Sequence, residues 1–306
     1  MLRAVTAPTV TSLAPPRLTS LPAERDQLEF SSRSLVFVPD GGRMIRAWGP
    51  PSRPWVLSVE PRGDRWRVEA WGAGPRAARA GAIAMFSLDH PLEEFYRLVR
   101  REPVLRGTES RFRGLRMPRD ASLYESLLHA ILGQQLSVSA ANSLKRRLYE
   151  RTEAFVRAEG FEIPRPPAPE RIVALGPDGL RSLGISRAKS RALDVLARNV
   201  THLDQLERTL GGGPVRPAID ALVELPGVGP WTAENALMRG VGRTDVFVAG
   251  DLGLRVALEE FGVLPRTAPE SIARAWGARH YPGWGSYATL YLWRKLVAGE
   301  PAGSAG

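Results

Sequence analysis

The sequence contains no cysteine, which excludes disulfide bonds, thiol nucleophiles and cysteine-held iron–sulfur clusters. It also lacks any apolar run long enough to cross a bilayer, so no membrane span is expected. The first residues, MLRAVTAPTVTSLAPPRLTS, have no continuous apolar segment of the kind that marks a signal peptide. We therefore interpret residues 1–24 as a disordered tail rich in Pro, Thr and Ser.

Lysine is nearly absent as well, since Lys145, Lys189 and Lys295 are the only three in the chain. Arginine therefore supplies almost all of the 42 basic residues, which outnumber the 32 acidic residues by 10. A surplus of positive charge indicates a polyanionic partner, with nucleic acid as the first candidate. Because an arginine bias can also reflect genome base composition, no single arginine is assigned a binding role on this ground.

The first third of the chain has the residue composition of β-strands separated by turns. Residues 34–39 (SLVFVP), 55–61 (WVLSVEP) and 65–72 (RWRVEAWG) are rich in β-branched and aromatic residues. The segments between them, PDGGR, GPPSRP and PRGD, are typical of turns. We predict a strand-rich α+β domain over residues 25–88, built on a small antiparallel sheet.

The rest of the chain has helical periodicity. Ser122 and Glu125 are spaced as a capping box, and Gly184 followed by Ser186 indicates a helix stop and a new start. Further helices are predicted at 90–100, 179–200, 217–225, 230–240, 251–262, 269–280 and 286–297. The predicted fold class is thus α+β, with a sheet domain followed by a two-lobed all-helical region. Its central helical domain spans 118–243, and its second lobe combines 89–117 with 244–306.

The segment LPGVGP has an unusually specific turn chemistry. Pro226 ends the preceding helix, Gly227 and Gly229 permit a tight turn, and Pro230 suits the first turn of the next helix. Bare backbone N–H groups at a helix N-terminus form an anion site, and a DNA phosphate is the anion that a basic protein would bind. The alternative is a plain helical hairpin that uses glycine as a C-cap.

The segment LPGVGPWTA resembles the helix–hairpin–helix motif of the helix–hairpin–helix DNA glycosylase superfamily. Residues 129–141 (HAILGQQLSVSAA), 245–255 (DVFVAGDLGLR) and 284–293 (WGSYATLYLW) are similar to segments of its DNA-3-methyladenine glycosylase II, or alkylpurine glycosylase, family. The resemblance extends over about 90–300. It implies a base-excision-repair enzyme that flips alkylated purines, of the 3-methyladenine and 7-methylguanine type, out of double-stranded DNA. It further implies hydrolysis of their N-glycosidic bond.

The resemblance places the catalytic aspartate at Asp251. Cleavage of an N-glycosidic bond builds positive charge on the sugar, which a neighbouring carboxylate stabilises. Asp251 also opens an amphipathic helix, and the ordinary role of an N-cap is compatible with catalysis. The competing acids, Asp245 and Glu234, do not match the family's catalytic position.

By the same resemblance, Trp231 and Trp293 belong to the base pocket, with Trp284 close by. An electron-rich indole attracts a cationic alkylated purine through stacking and cation–π interaction. The alternative for each tryptophan is a place in the helical core. Asn235 stands where some family members have another aromatic residue, which leaves the range of lesions open.

The implied DNA contacts come from two loops. The hairpin contributes Pro226, Gly227, Val228, Gly229 and Thr232, and the GQQLS loop contributes Gln135 or Leu136 as the wedge that replaces the flipped base. Both loop residues have an alternative structural role, Gln135 as a helix cap and Leu136 in the core. Arg187 and Lys189 could touch phosphates, although a solvated face is the ordinary place for such residues.

Three classes of function remain open at this point. The lyase branch of the superfamily forms a Schiff base through a lysine in the hairpin's second helix, and the matching position here is Trp231, so we expect a monofunctional hydrolase. The alternatives are a bifunctional glycosylase/lyase acting on oxidised bases and a non-catalytic helix–hairpin–helix DNA-binding protein.

The resemblance also bears on cofactors and setting. No metal site made by side chains and no iron–sulfur cluster is expected, although hairpin carbonyls could hold a monovalent cation. We expect a monomer with no membrane association that acts in the cytoplasm, at the nucleoid if the organism is bacterial.

Overall fold

The computed structural model describes residues 8–15, 38–40 and 42–299. A five-stranded antiparallel sheet forms its N-terminal part, in the order β1-β5-β4-β3-β2. The strands are β1 (Thr9–Leu13), β2 (Val38–Asp40), β3 (Arg43–Trp48), β4 (Trp55–Arg62) and β5 (Arg65–Trp71). The predicted strands at 55–61 and 65–72 are confirmed, whereas β3 was not predicted, and 34–37 lie outside the described residues.

The strand β1 corrects the prediction of a disordered tail over 1–24. Thr9–Leu13 pairs along its whole length with β5, from Thr9 opposite Ala70 to Leu13 opposite Trp66. Leu13 is buried and packs in the sheet core. The Pro, Thr and Ser content that suggested disorder did not reveal this, because an edge strand obtains its hydrogen bonds from a distant partner.

The sheet is covered on both faces. Helix α1 (Pro75–Met85) packs against one face, where Met44, Leu57 and Val68 are buried. A second hairpin, β6 (Phe155–Ala158) and β7 (Phe161–Pro164), covers the other face around Ile45 and Val56. Adjacent residues such as Met44 and Ile45 therefore enter different cores, as strand alternation requires. The β6–β7 hairpin was not predicted.

Helices make up the remainder of the chain. They are α2 (Leu92–Val99), α3 (Thr108–Arg111), α4 (Leu123–Gly133), α5 (Val138–Arg151), α6 (Pro169–Ser182), α7 (Arg187–Arg198), α8 (Val200–Thr209), α9 (Val215–Val223), α10 (Pro230–Ala236), a π-helical segment (Leu237–Val241), α11 (Leu252–Glu260), α12 (Glu270–His280) and α13 (Gly285–Val297). The helical prediction is confirmed, including both predicted serine caps: Ser122 Oγ accepts from Glu125 N at 3.2 Å, and Ser186 Oγ accepts from Lys189 N at 3.4 Å. None of the helices in the described ranges has both the length and the apolar character that a bilayer crossing needs.

Two hydrophobic cores lie within the helical region. The first helical core is mainly aliphatic and is built from α4 to α10, with members such as Leu127, Ile131 and Leu193. The second helical core is rich in rings and is built around α2 and α11 to α13, with members such as Phe95, Phe247 and Tyr291. Met238, just after α10, is already part of the second core. The helix that follows the LPGVGP turn therefore joins the two cores.

A buried arginine ties the sheet to the helices. Arg46 on β3 donates to Glu125 Oε1 at 2.8 Å and to Asp120 Oδ1 at 3.1 Å. Its side chain is only 5% exposed, and the Glu125 side chain is fully buried. A buried charge needs such partners, so this network fixes the sheet next to the start of α4.

Candidate active site

The carboxylate of Asp251 is held by three N–H donors. Asp251 is the N-cap of α11, and its Oδ1 accepts from Leu254 N at 2.9 Å. The same oxygen accepts from the indole Nε1 of Trp293 at 2.9 Å, and Oδ2 accepts from the indole Nε1 of Trp231 at 3.1 Å. Hydrogen bonds from N–H groups to a carboxylate fix its orientation and stabilise its negative charge. The Asp251 side chain can therefore cap α11 and at the same time present a fixed, negatively charged carboxylate to the site.

The two tryptophans come from different elements. Trp231 is in the first turn of α10, and Trp293 is on α13. Gly253 leaves room for this arrangement, because a Cβ there would lie 3.2 Å from Asp251 Oδ1 and 3.4 Å from Trp293 Nε1. From the sequence we expected these indoles only to stack against the base. The structure adds that both direct their N–H groups towards one carboxylate.

A cavity of about 290 Å³ opens beside Trp231. Its walls come from the segment before α4, from α4 and α5, and from α10 with the π-helical segment. The lining residues are Asp120, Ser126, His129, Ala130, Val138, Asn142, Lys145, Trp231, Asn235 and Arg239. The cavity therefore has one indole wall and several polar groups, and it adjoins the Asp251 site through Trp231.

Of the predicted pocket residues, the structure places Trp231 and Asn235 in the cavity wall, whereas Trp293 and Trp284 are not among its lining residues. Asn235 lies one turn after Trp231 and donates to its carbonyl oxygen at 2.9 Å. The ring of Trp284 packs in the second helical core, with its centroid 5.8 Å from that of Phe95 and 5.5 Å from that of Tyr287. The packing favours the core alternative for Trp284, because its position at the start of α13 points it towards the rings of α2.

The π-helical segment packs closely against α4. A Cβ at Gly240 would lie 2.9 Å from Ser126 Cβ and 3.1 Å from Leu123 Cα, so this turn presses directly on α4. The wider turn carries Arg239 to the cavity wall, where its Cζ lies 5.9 Å from the ring centroid of Trp293. Single π turns within helices often occur at functional sites.

The LPGVGP turn is a tight hairpin between α9 and α10. Gly227 has a φ of 80°, and a Cβ there would lie 2.4 Å from Ala192 Cβ. Gly229 is the N-cap of α10, and a Cβ there would meet nothing within 4 Å. Packing against Ala192 and the positive φ therefore require a glycine at position 227. No such contact requires a glycine at position 229, which faces open space.

The other hairpin residues divide into surface and core. Pro226 is exposed, but Val228 is 5% exposed and belongs to the first helical core. Thr232 is also buried, and its Oγ1 accepts from Gln134 Nε2 at 2.9 Å. Val228 and Thr232 therefore stabilise the hairpin through buried contacts. The outer surface of the turn consists mainly of the backbone of the two glycines.

The GQQLS loop lies against this hairpin. Gln134 Nε2 also donates to Gly227 O at 2.9 Å, and Lys189 Nζ donates to Gln134 O at 2.6 Å. Gln135 is exposed and adopts a φ of 55°, and Leu136 is 41% exposed. The core alternative for Leu136 is wrong, and the cap of α4 is Gln134 rather than Gln135. The sequence analysis did not identify Gln134 as the residue that joins this loop to the hairpin, although Gln134 lies in the same GQQLS segment.

The protein-family comparison matches residues 128–277 to the HhH-GPD superfamily of base excision DNA repair proteins. A DNA-3-methyladenine glycosylase of Bacillus subtilis (strain 168) is 30% identical over 215 residues, which cover 69% of each chain. The chain belongs to the DNA-3-methyladenine glycosylase family. DNA-3-methyladenine glycosylase 2 of Escherichia coli (strain K12) is 35% identical over 184 residues, which cover 59% of this chain and 60% of that protein.

A solved structure agrees with the glycosylase fold. The 3-methyladenine DNA-glycosylase from Archaeoglobus fulgidus superposes with a TM-score of 0.80 and covers 93% of this chain and 98% of its own. Its sequence identity is 24%, so this likeness concerns the fold. The match covers almost the whole of this chain, which confirms the predicted α+β fold class.

The competing acids of this glycosylase are engaged in ion pairs. Asp245 binds Arg243 at 2.6 Å, and Glu234 binds Arg274 at 2.5 Å. The Glu234 side chain is fully buried, and burial raises its pKa to about 7, against the effect of Arg274. Both acids line a larger cavity of about 410 Å³, whose walls include neither Asp251 nor the two site tryptophans.

A cluster of possible metal ligands lies at the wall of the cavity beside Trp231, where Asp120 and His129 are lining residues. Atoms of Asp120, Glu125 and His129 come within 4.8 Å of one another. The guanidinium of Arg46 already lies between the two carboxylates. Burial acts to raise the pKa of Asp120, but the hydrogen bond from His129, followed by the charge of Arg46, holds it well below its usual range. A metal ion would have to displace that arginine, so we interpret the cluster as an ion-pair network.

Proposed function

We propose that this protein excises alkylated purines, of the 3-methyladenine and 7-methylguanine type, from double-stranded DNA by hydrolysis. The observation that carries the proposal is the Asp251 carboxylate, oriented by Trp231, Trp293 and the start of α11. It adjoins a cavity of about 290 Å³, a size suited to a single base.

Asp251 stabilises the transition state in this mechanism. As the bond between C1′ and the base nitrogen breaks, its electron pair leaves with the base and positive charge grows on the sugar. The negative carboxylate lies ready for that charge, and its three N–H donors prevent it from turning away. Water then adds to C1′ and leaves an intact abasic strand.

The indole of Trp231 contributes to recognition of the base. Alkylation at N3 or N7 makes a purine cationic, and stacking on an indole favours such a base by roughly 0.5–2 kcal/mol. A cationic purine is also a good leaving group, so the enzyme needs little acid catalysis for this class. The aromatic wall and the carboxylate are therefore sufficient for alkylated purines.

DNA is held by the hairpin and opened by the GQQLS loop. The open space at Gly229, at the N-terminus of α10, suits a phosphate oxygen. Gln135 and Leu136 are both exposed beside the hairpin and remain the candidates for the wedge. A monovalent cation on the hairpin carbonyls, a monomeric state and a cytoplasmic location remain predictions that accompany this proposal.

The decisive experiment compares Asp251→Asn with the parent on methylated duplex DNA, with released bases identified by mass spectrometry. The amide cannot balance the sugar charge, so release should fall by about 100-fold or more, while DNA affinity is retained. Release within a few-fold of the parent would mean that Asp251 is only a cap. A parent that binds but releases nothing would support the non-catalytic alternative.

The monofunctional assignment is tested in the same reactions by adding borohydride. Trp231 occupies the position that carries the lyase lysine in the bifunctional branch, so no covalent adduct with DNA is expected. Lys145, which lines the cavity, is the residue to check by peptide mapping if an adduct forms. A strong adduct would move the protein to the lyase branch.

A further inference from the structure

The two loops proposed to contact DNA are joined through one side chain. The amide nitrogen of Gln134 has two N–H groups and two acceptors: Nε2 donates to Gly227 O and to Thr232 Oγ1, each at 2.9 Å. Gly227 belongs to the hairpin turn, and the buried Thr232 lies in the first turn of α10 beside Trp231. Gln134 therefore attaches the GQQLS loop both to the hairpin and to the helix that carries a site tryptophan.

The carbonyl groups of the same loop are held by a lysine. The helix α4 ends at Gly133, so its last carbonyl groups lack partners within the helix. Lys189 Nζ, from α7, donates to Leu132 O at 2.9 Å and to Gln134 O at 2.6 Å. A cation at a helix C-terminus is also favoured by the helix dipole. The end of α4 is thus fixed from α7, and the amine of Lys189 is directed at the loop rather than at a phosphate.

The residue after Gln134 has a backbone conformation that needs such support. Gln135 has a φ of 55°, in the left-handed region that residues other than glycine seldom adopt. Gln135 is exposed, so burial of its own side chain does not explain this conformation. A strained backbone persists where the surrounding contacts determine it. Here those contacts are the hydrogen bonds of Gln134 on one side and, on the other, the turn in which Leu136 N donates to Gly133 O at 3.2 Å.

We propose that Gln134 is a positioning residue for base flipping, because it fixes the wedge candidates Gln135 and Leu136 to the hairpin. This inference rests on the proposed glycosylase function and assigns a role to a residue outside the Asp251 site. Flipping puts a protein side chain into the base stack. A loop that is ordered before DNA binds loses little conformational entropy at that step. Phosphate binding at the hairpin therefore places the wedge at a set distance from the DNA backbone.

The proposal separates two steps that a purely structural role would change together. Phosphate binding uses the hairpin backbone, which Val228 anchors in the first helical core. Loss of the Gln134 amide should therefore leave binding to undamaged duplex nearly unchanged. Insertion of the wedge should become slower, because the released loop must then be ordered during insertion. A residue that only stabilised the fold would lower binding and insertion by similar factors.

The test uses a duplex with 2-aminopurine next to a tetrahydrofuran abasic analogue, which has no glycosidic bond to cleave. The fluorescence of 2-aminopurine rises as the stack opens, and stopped-flow measurement at saturating protein gives the rate of wedge insertion. Gln134→Met keeps the length of the side chain and removes both hydrogen bonds, so insertion should slow by about tenfold. Affinity for undamaged duplex, measured by fluorescence anisotropy, should stay within about twofold of the parent, because phosphate contacts dominate it.

Lys189→Met is the second variant, because it releases the same loop from α7. It should also slow insertion. The double variant should be slower than either single variant by less than the product of their effects, as expected for residues that act through one loop. Gln205→Met is the matched control, since Gln205 is exposed on α8 and should leave the rate unchanged. Circular dichroism establishes that each variant is folded.

The outcomes separate this inference from the glycosylase proposal. Slower insertion with retained duplex affinity supports the role of Gln134. Insertion at the parent's rate, an equal loss of affinity and insertion rate, or a parent that binds without any fluorescence change overturns it. If Gln134→Met does not fold, Lys189→Met alone decides by the same criteria. A parent that inserts the wedge but releases no base from methylated duplex would overturn the glycosylase proposal and leave the positioning role standing.

Discussion

The two helical cores are packed with different chemistry. The first core is mainly aliphatic, and its two buried tyrosines, Tyr124 and Tyr149, hydrogen-bond to Pro167 O and to His129 at its edge. The second contains rings joined by hydrogen bonds: Tyr96 and Tyr291 share one at 2.9 Å, and Tyr281 donates to Glu102 at 2.6 Å. Burial raises the pKa of the Tyr291 hydroxyl well above its usual value, so it remains a neutral donor.

The two cores also support different parts of the site. The aliphatic core supports the hairpin and the GQQLS loop, and the contact with a phosphate backbone that we propose for them would tolerate small adjustments. The aromatic core positions α13 and α11, which bring Trp293 and Asp251 to within one hydrogen bond of each other. Directional bonds fix helix rotation more closely than aliphatic packing does, and a reacting carboxylate needs that precision.

After loss of the Asp251 carboxylate itself, the largest effect should come from removing one N–H donor to Asp251. Trp293→Phe and Trp231→Phe each keep a ring but lose a hydrogen bond to a charged group, so release of 3-methyladenine should slow by about 10- to 100-fold. Single-turnover assays measure this. Trp284→Phe is the matched control in the second core, since Trp284 does not contact Asp251. Equal slowing in all three variants would contradict the assignment.

A smaller effect is expected on the hairpin side. Gly229→Asp places a carboxylate where a phosphate should lie, so affinity for damaged and undamaged duplex should fall about tenfold. Fluorescence anisotropy at moderate salt measures it. Gly229→Ala adds only a Cβ in open space and should bind nearly as the parent does.

Gly227→Asp is less informative than Gly229→Asp. A Cβ at Gly227 would collide with Ala192, and its φ of 80° is strained for any other residue, so the fold itself would be disturbed. Unchanged affinity in Gly229→Asp, with an intact circular dichroism spectrum, would show that the hairpin only connects helices.

The smallest effect concerns the ion pair that links the cores. Glu234 on α10 binds Arg274 on α12, and the raised pKa of Glu234, about 7, exceeds its ordinary value of 4.5. Between pH 4.5 and about 7, the folded state therefore holds a proton on Glu234 that the unfolded state has released. The stabilisation that this proton gives to the folded state is lost as pH rises through 7. Thermal unfolding should show a loss of about 1 kcal/mol between pH 6 and pH 8.

Glu234→Gln tests the source of that pH dependence. The amide has nearly the same shape and does not titrate, so the slope between pH 6 and pH 8 should flatten. An unchanged slope in the variant would assign the pH dependence to other groups.

Much of the fold was predictable because its signals are local. Serines that accept from the backbone three residues later marked the starts of α4 and α7, and Pro230 marked that of α10. The strand β1 and the β6–β7 hairpin were missed, since short strands depend on partners far away in the sequence. The place of Trp284 stayed open between pocket and core for a related reason, because a residue at the start of a helix can face either lobe.

The sequence by itself determined the order of the main helices, the tight turn at Gly227 and Gly229, and the position of Asp251 at the start of a helix. These features depend on interactions within a few residues, which composition and spacing display directly. Only the tertiary structure decided that two indole N–H groups meet at Asp251 and that Lys145 and Arg239 face the cavity beside Trp231. Those contacts join distant segments, and they follow from how the two helical cores pack against each other.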